Sequence, residues 1–400
     1  MRTGQTHLFI PGPTNVPEVV RQAMNVPMQD MRAPDFGDVT LSLFQDLKSV
    51  FRTKNSTVMI FPGSGTAAWE AGITNTLNPG DKVLMARHGQ FSTLWAEMAE
   101  RLGLDVHLVD VPWGAGVPVR EFERQLAADT NDEIKAVFVT HNETATGVTS
   151  DVAAVRRALD ENFHDALLFV DGVSSIGSLD FRMDDWRVDL AITGSQKGLM
   201  LPAGLGILAV SEKAMALAET STSRRAYFEF SDMVKLNADG YFPYTPPTQL
   251  LHGLRKSLDR IFAEGLDNTI ARHTRLAEGV RRGVAAWGLD LVAEHPSLHS
   301  NTVSAIRTPQ DVDAREVIRI AYEDYNTSLG SGLARLAGKV FRIGHIGDLN
   351  EGMCLTALSV AEMALHRAGA DIEFGSGVAA AQRWFADETP MQQPLAVAAE

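Results

Sequence analysis

Lys197 stands in the run Thr193-Gly194-Ser195-Gln196-Lys197-Gly198, directly after an apolar stretch from Val188 to Thr193. An amine presented at the end of a buried strand loses hydration, which penalises its charged form and lowers its pKa. Such an amine suits imine formation with an aldehyde and proton transfer as the free base. Taken alone, the same residue reads more readily as a lysine on a surface turn. Asp171 closes the apolar run Leu167-Leu168-Phe169-Val170. A carboxylate so placed calls for a cationic partner. A protonated pyridine nitrogen is one, and the pairing keeps the ring able to accept electrons from a breaking Cα–H bond. An N-cap for the next helix is the alternative.

Three further groups could complete such a site. Gly63-Ser64-Gly65-Thr66 follows the apolar run Val58 to Phe61 and precedes a helical pattern through Trp69 and Ile73. Free N–H groups and two hydroxyls at a helix start form a phosphate cradle, although the same residues also make an ordinary tight turn. Phe91 could lie flat on a cofactor ring or belong to the core. Arg342, inside the apolar run Val340 to Ile343, needs an anionic partner: a substrate carboxylate gripped bidentately, or a structural ion pair.

The elements that must hold these residues alternate between short apolar runs (Val58–Phe61, Lys82–Met85, Ala136–Thr140, Leu167–Val170, Leu190–Thr193) and amphipathic stretches. That rhythm predicts an α/β fold with a mostly parallel sheet sandwiched by helices. Several runs end in polar or glycine-bearing turns, where ligands of open α/β sheets bind. From Thr248 to about Trp287 the spacing of Leu250, Leu251, Leu254, Leu258 and Ile261 predicts helix bridging to a second domain. There Thr302–Ile306 and Val340–Ile343 read as strands, and Ala314–Tyr322 and Cys354–Ala368 as helices. The expected division is an N-terminal arm (1–20), a large domain (21–260), a smaller α+β domain (261–385) and a flexible tail (386–400).

The chain has 400 residues, 36 Lys plus Arg against 50 Asp plus Glu, and a formal net charge of -14. That balance repels nucleic acid and anionic membranes, so neither is an expected partner. The single cysteine, Cys354, excludes an internal disulfide and fits a reducing cytoplasm; no metal is expected. No apolar stretch approaches the roughly 20 residues needed to span a bilayer.

Read in order, these motifs resemble the fold-type I, class V aminotransferases, and among them the glyoxylate aminotransferases that use serine, alanine or aspartate. The likeness runs from about Pro11 to about Gly377. It rests on Pro11-Gly12-Pro13-Thr14-Asn15, Gly63 to Thr66, Thr140 to Val148, Val170 to Ser175, Gly194 to Lys197, Tyr244-Thr245-Pro246-Pro247 and Gly338 to Gly344. The resemblance implies the cofactor pyridoxal 5'-phosphate. Ser64, Gly65, Thr66 and Gln196 would hold its phosphate, and Thr245 would complete that site from a neighbouring subunit, implying a homodimer or higher. Phe91 would stack on the ring, Thr144 would touch its phenolic side, Asp171 would pair with its nitrogen, Val173 would pack beneath, and Lys197 would carry the Schiff base. Arg342, with Gly12, would meet the substrate.

Phe242 departs from the pattern, because relatives tend to place there a tyrosine that reaches the partner's phosphate; Tyr241 or Tyr244 could substitute. Thr66 and Phe91 stand where others carry histidine and tryptophan, which points to the bacterial serine or aspartate type. The implied reaction moves an amino group from serine or aspartate, with alanine third, onto glyoxylate. An aspartate donor would want a second cation, for which Arg32, Arg335 and His345 are candidates. Two rivals remain: cysteine desulfuration, needing a reactive cysteine on a mobile loop, and a noncatalytic scaffold with a vestigial site.

Overall fold

Leu167–Val170 has no polar side chain, as expected of a strand covered on both faces, and all five residues of Leu167–Asp171 are buried. The computed structural model describes residues 4–387. Its strands are β1 (His7–Phe9), β2 (Thr57–Gly63), β3 (Lys82–Arg87), β4 (Asp105–Asp110), β5 (Ile134–Thr140), β6 (Asn142–Glu143), β7 (Val148–Thr149), β8 (Leu167–Asp171), β9 (Leu190–Gly194), β10 (Gly204–Val210), β11 (Val303–Arg307), β12 (Thr327–Ser331) and β13 (Val340–Gly344). Seven form one sheet in the order β2-β10-β9-β8-β5-β3-β4, parallel except for β10, which runs against both its neighbours. The helix Gly65–Thr76 packs on β2, β9 and β10, and the helix Gln90–Arg101 on β3, β4 and β5.

The parallel direction brings the ends of β2, β3, β5, β8 and β9 to a single edge, and the turns singled out by sequence lie there. Aromatic rings brace the sheet beneath that edge. Trp69 stacks on Trp95 at 5.7 Å, Trp95 on Phe138 at 4.5 Å, and Phe138 meets Phe169 at 4.6 Å. Each such pair contributes about 0.5–1.5 kcal/mol beyond the area it buries.

A second core gathers Phe9, Leu276, Val280, Ile306, Phe341, Ile343, Leu358 and their neighbours around a four-stranded sheet, β1-β12-β13-β11. The continuous helical pattern after Thr248 is two helices, Thr248–Glu264 and Leu266–Ala286, separated by Gly265 at φ +88°. Leu251, Leu254, Leu258 and Ile261 are buried as their spacing requires, while Leu250 is only partly so. The helices expected in the C-terminal part are Ala314–Tyr325 and Glu351–Arg367.

Two features go beyond the sequence reading. The N-terminal arm is not free: β1 pairs in parallel with β12, His7 facing Thr327. Strand β12 itself, Thr-Ser-Leu-Gly-Ser, carries one large apolar residue and gives no strand signal. All of the expected flexible tail except Ala386 and Asp387 lies outside the described residues. Among the described residues, no helix is long and apolar enough to cross a membrane.

Candidate active site

Strand β9 delivers Lys197 three residues past its end, where the side chain is 8% exposed. The N-terminal arm closes over this turn. Lys197 Nζ donates to the Pro11 carbonyl, Thr14 N donates to the Gln196 carbonyl at 3.2 Å, and Thr14 Oγ1 donates to the Lys197 carbonyl at 3.3 Å. Gly12 touches the lysine side chain directly. Burial, and then the positive charge of Arg342, push the amine down to about 8 against the opposing pull of Asp171. At neutral pH a useful fraction is therefore uncharged.

Asp171 ends the adjacent strand, β8, and is 5% exposed. Burial pushes its carboxyl up to about 7, although the Val173 N–H donates to Oδ1 at 2.9 Å and Lys197 is near. The negative field of Glu143 adds to the rise. The buried Trp69 indole N–H makes no hydrogen bond of ordinary geometry, but it lies close enough to Asp171 to favour the carboxylate. A carboxylate held so high is waiting for a cation.

Beside these two residues the helix Gly65–Thr76 begins. Its N-cap, Ser64, is extended and makes no side-chain cap. The first N–H groups of the helix are thus available to an anion. A Cβ on Gly65 would come 2.4 Å from Val173 Cγ2, so the helix start and Val173 meet only because residue 65 is glycine. Gln196 sits next to Gly194 with its amide oxygen buried and unpartnered among the described residues, and Thr66 is exposed. An open helix terminus with an unsatisfied amide beside it fits a phosphate group.

Arg342 projects from β13 of the other sheet and is 7% exposed. Nε donates to the Ser331 carbonyl at 2.8 Å and Nη1 to the Thr144 carbonyl at 2.9 Å. Burial lowers this guanidinium to about 10, and Glu143 counters that shift. Arg342 has no carboxylate partner among the described residues, so the structural ion pair that sequence left open is absent. Thr144 Oγ1 donates to Ser174 Oγ at 3.0 Å, and the Asn142 amide donates to Ser174 Oγ at 2.8 Å and Thr302 Oγ1 at 3.0 Å. Phe91 is half-buried in the first turn of the helix Gln90–Arg101.

Glu143 was not singled out by sequence, although it lies within a quoted motif. It is fully buried between Phe91 and Arg342, and its carboxylate accepts from three backbone N–H groups. The signal was available: like Asp171, it is an acid that follows a buried strand.

Other candidates are not brought together. Thr245 is exposed and makes no side-chain hydrogen bond among the described residues. Phe242 is buried with its ring 6.0 Å from Phe44. Both tyrosines proposed in its place are engaged: Tyr241 donates to the Ala33 carbonyl and Tyr244 to the Tyr227 carbonyl. His345 is fully buried, its ring nitrogens bound to Ser304 Oγ and the Asn301 carbonyl, so it is no partner for a substrate carboxylate. Arg335 lies over Trp113, and Arg32 is exposed. Cys354 is buried in a helix and its thiol is pushed up to about 12, so it cannot receive sulfur as an exposed thiolate would.

An amine poised near neutrality, an acid awaiting a cation and an uncapped helix start are the needs of one cofactor, and on this sheet they define a fold-type I pyridoxal-phosphate enzyme. The chain belongs to the class V aminotransferases, whose family model (Aminotransferase class-V) matches residues 7–334. It is 60% identical over 381 residues to a serine–glyoxylate aminotransferase of Hyphomicrobium methylovorum, covering 95% of this chain and 94% of that protein. It is 53% identical to an L-aspartate–glyoxylate aminotransferase of Paracoccus denitrificans, covering 98% of this chain and all of the other. Among solved structures, pyridoxamine-pyruvate aminotransferase from Mesorhizobium loti superposes with a TM-score of 0.90 at 28% identity, covering 96% of this chain and 99% of that one.

Proposed function

We propose that this aminotransferase moves the amino group of a small L-amino acid, serine or aspartate, onto glyoxylate, giving glycine and hydroxypyruvate or oxaloacetate. The observation that carries the reading is Arg342: a buried guanidinium with no carboxylate partner among the described residues, close enough to Lys197 to depress its pKa. Such a group would grip the carboxylate shared by every donor and by glyoxylate. Identity to serine– and aspartate–glyoxylate aminotransferases over nearly the whole chain supports the pair of substrates.

Pyridoxal phosphate, when bound, supplies the aldehyde that takes up the amino group and the ring that withdraws electrons from Cα. The chain's residues would do the rest. Ser64, Gly65, Thr66 and Gln196 would hold the phosphate, Phe91 and Val173 would enclose the ring, and Thr144 would meet its oxygen side. Asp171 would hold the ring nitrogen's proton. Lys197 Nζ would take the proton from the substrate Cα and deliver it to the cofactor's aldehyde carbon within the same half-reaction, and would move it in the opposite direction when glyoxylate is the substrate. Gly12, with Arg342, would meet the substrate, and burial would exclude water.

Serine is the donor we favour. A distal carboxylate would need a second cation, and His345, Arg335 and Arg32 are respectively saturated, stacked on Trp113 and exposed. We place the enzyme in the cytoplasm as a homodimer or larger assembly, with Thr245 completing the neighbour's phosphate site; its exposure, and a hydroxyl without a hydrogen bond among the described residues, support that role. The test is absorbance of the holoenzyme during half-reactions with serine, aspartate and alanine, each followed by glyoxylate. Conversion to the pyridoxamine form by serine, reversed by glyoxylate, is the expected result. A spectrum unmoved by all three donors would overturn the reading.

A further inference from the structure

The helix Gln90–Arg101, which carries Phe91, begins at an N-cap glycine, Gly89, with no side chain to accept from its first N–H groups. A residue from another strand end takes that place. Glu143 Oε1 accepts from Phe91 N at 3.3 Å and Oε2 from Ser92 N at 2.9 Å, the second and third residues of the helix. These are the two donors a capping side chain would ordinarily satisfy. Ser92 Oγ completes the terminus by accepting from His88 N at 3.1 Å and Gly89 N at 3.0 Å. The substitution of one cap for another is steric as well as polar. A Cβ on Gly89 would lie 2.2 Å from Glu143 Cγ and 2.6 Å from Oε2, because the carboxylate occupies the volume a cap side chain would fill.

The same carboxylate is tied to the substrate side. Oε1 also accepts from Ala145 N at 3.1 Å, which fixes the turn whose Thr144 carbonyl receives Arg342 Nη1 at 2.9 Å. Burial raises the pKa of Glu143; its backbone partners, all N–H donors, the Ser92 side chain and the partial positive charge of the helix N-terminus favour the carboxylate against that burial, so the site asks for an acceptor on both oxygens. An amide cannot supply that, since its nitrogen would face donors.

We infer that Glu143 is a positioning residue of this active site: its buried carboxylate caps the helix that Gly89 leaves open, setting Phe91 against the cofactor and the Thr144 carbonyl against Arg342. The inference rests on the proposed role of Phe91 and goes beyond it. A purely structural cap would stabilise the chain equally with and without cofactor. A positioning residue instead changes how the cofactor is held.

The experiment is titration of the cofactor-free full chain with pyridoxal phosphate, read by absorbance and by the visible circular dichroism of the bound cofactor, for parent, Glu143→Gln, Phe91→Leu and the double variant. Glu143→Gln should raise the Kd at least tenfold and reduce the dichroic band. It should narrow the gap in Tm between cofactor-loaded and cofactor-free protein. The double variant should bind no more weakly than the weaker single variant, because both act through one ring. A parental Kd and dichroism in Glu143→Gln, or strictly additive losses, would overturn the inference. If Phe91→Leu alone binds with parental affinity, the role given to Phe91 falls and this inference with it, leaving Lys197 and Asp171 untouched. Should Glu143→Gln fail to fold, Glu143→Asp keeps the charge but retracts it by one methylene; it should show the same losses in smaller measure, and parental behaviour there would count equally against the inference.

Discussion

Gly12 stands against Lys197 so closely that a Cβ built on it would lie 2.5 Å from both Cδ and Nζ of the lysine, at a backbone φ of +106°. Any side chain at residue 12 must therefore move the lysine or the arm, and must also adopt a conformation costing on the order of 1–3 kcal/mol. Gly12→Ala is expected to lower kcat at least tenfold while the phosphate cradle, built from other elements, still retains cofactor. Steady-state kinetics beside the cofactor content of the purified protein check this. Parental kcat would show that the arm does not constrain Lys197.

Arg342 is held by two carbonyls and by no carboxylate among the described residues, so in the proposed reading its charge serves the entering substrate anion. Replacing it with glutamine removes a charge-assisted pair of hydrogen bonds worth about 1.5–3 kcal/mol, or roughly 10- to 100-fold in KM for donor and acceptor alike. Because Arg342 also depresses the Lys197 amine, that amine should titrate at a higher pH in Arg342→Gln. Kinetics with serine and glyoxylate, and a pH titration of the cofactor-free protein with an amine-reactive probe, measure the two effects. An unchanged KM for both substrates would remove Arg342 from the substrate site.

Asp171 makes a pH prediction whose sign is unusual. Its carboxyl is raised from 3.8 to about 7 in the folded, cofactor-free chain, chiefly by burial. Between these values the native state binds more protons than the unfolded state, so this group's contribution is fully present below pH 4 and lost as pH rises through 7. The whole shift corresponds to at most about 4 kcal/mol. Cofactor-free Asp171→Asn should therefore be more stable than the parent at pH 8, with the difference shrinking toward pH 4. With cofactor bound, the order should invert, because the parent regains a cation for its carboxylate. Denaturant unfolding of both proteins at pH 4, 6 and 8, with and without pyridoxal phosphate, follows the effect; a pH-independent difference would sink it.

How far these residues were legible in the sequence depends on whether their reasons were local. Lys197 and Asp171 follow apolar runs that read as buried strands, but each had an ordinary alternative, and it was their place in an ordered series of motifs that marked them. Strand β12 did not, since Thr327–Ser331 becomes a strand only by lying between β1 and β13, which come from opposite ends of the chain. The aromatic stack from Trp69 to Phe169 joins residues far apart in sequence and has no periodic signature. Gly89 and Glu143 were each visible, but their relation is a helix cap supplied across 54 positions, and capping signals are sought within one turn.

Thr245 supplies the remaining prediction, because its assignment is to a site in another subunit. If each site takes Lys197 from one chain and Thr245 from its neighbour, two inactive variants can repair one another. Lys197→Ala removes the amine. Thr245→Glu places a negative charge where the cofactor phosphate would sit, which like-charge repulsion and desolvation make costly. Each homodimer should be inactive. In a mixed dimer, one site pairs an intact Lys197 with an intact Thr245, while the other site carries both lesions. Random exchange makes about half the dimers mixed, each with one working site, so activity should return to roughly a quarter of the parent's. Refolding or subunit exchange of equimolar variants, with the mass of the assembly checked by light scattering, gives the measurement. Recovery near a quarter supports the shared site; a fully active Thr245→Glu homodimer, or no recovery in confirmed mixed dimers, would place Thr245 outside it.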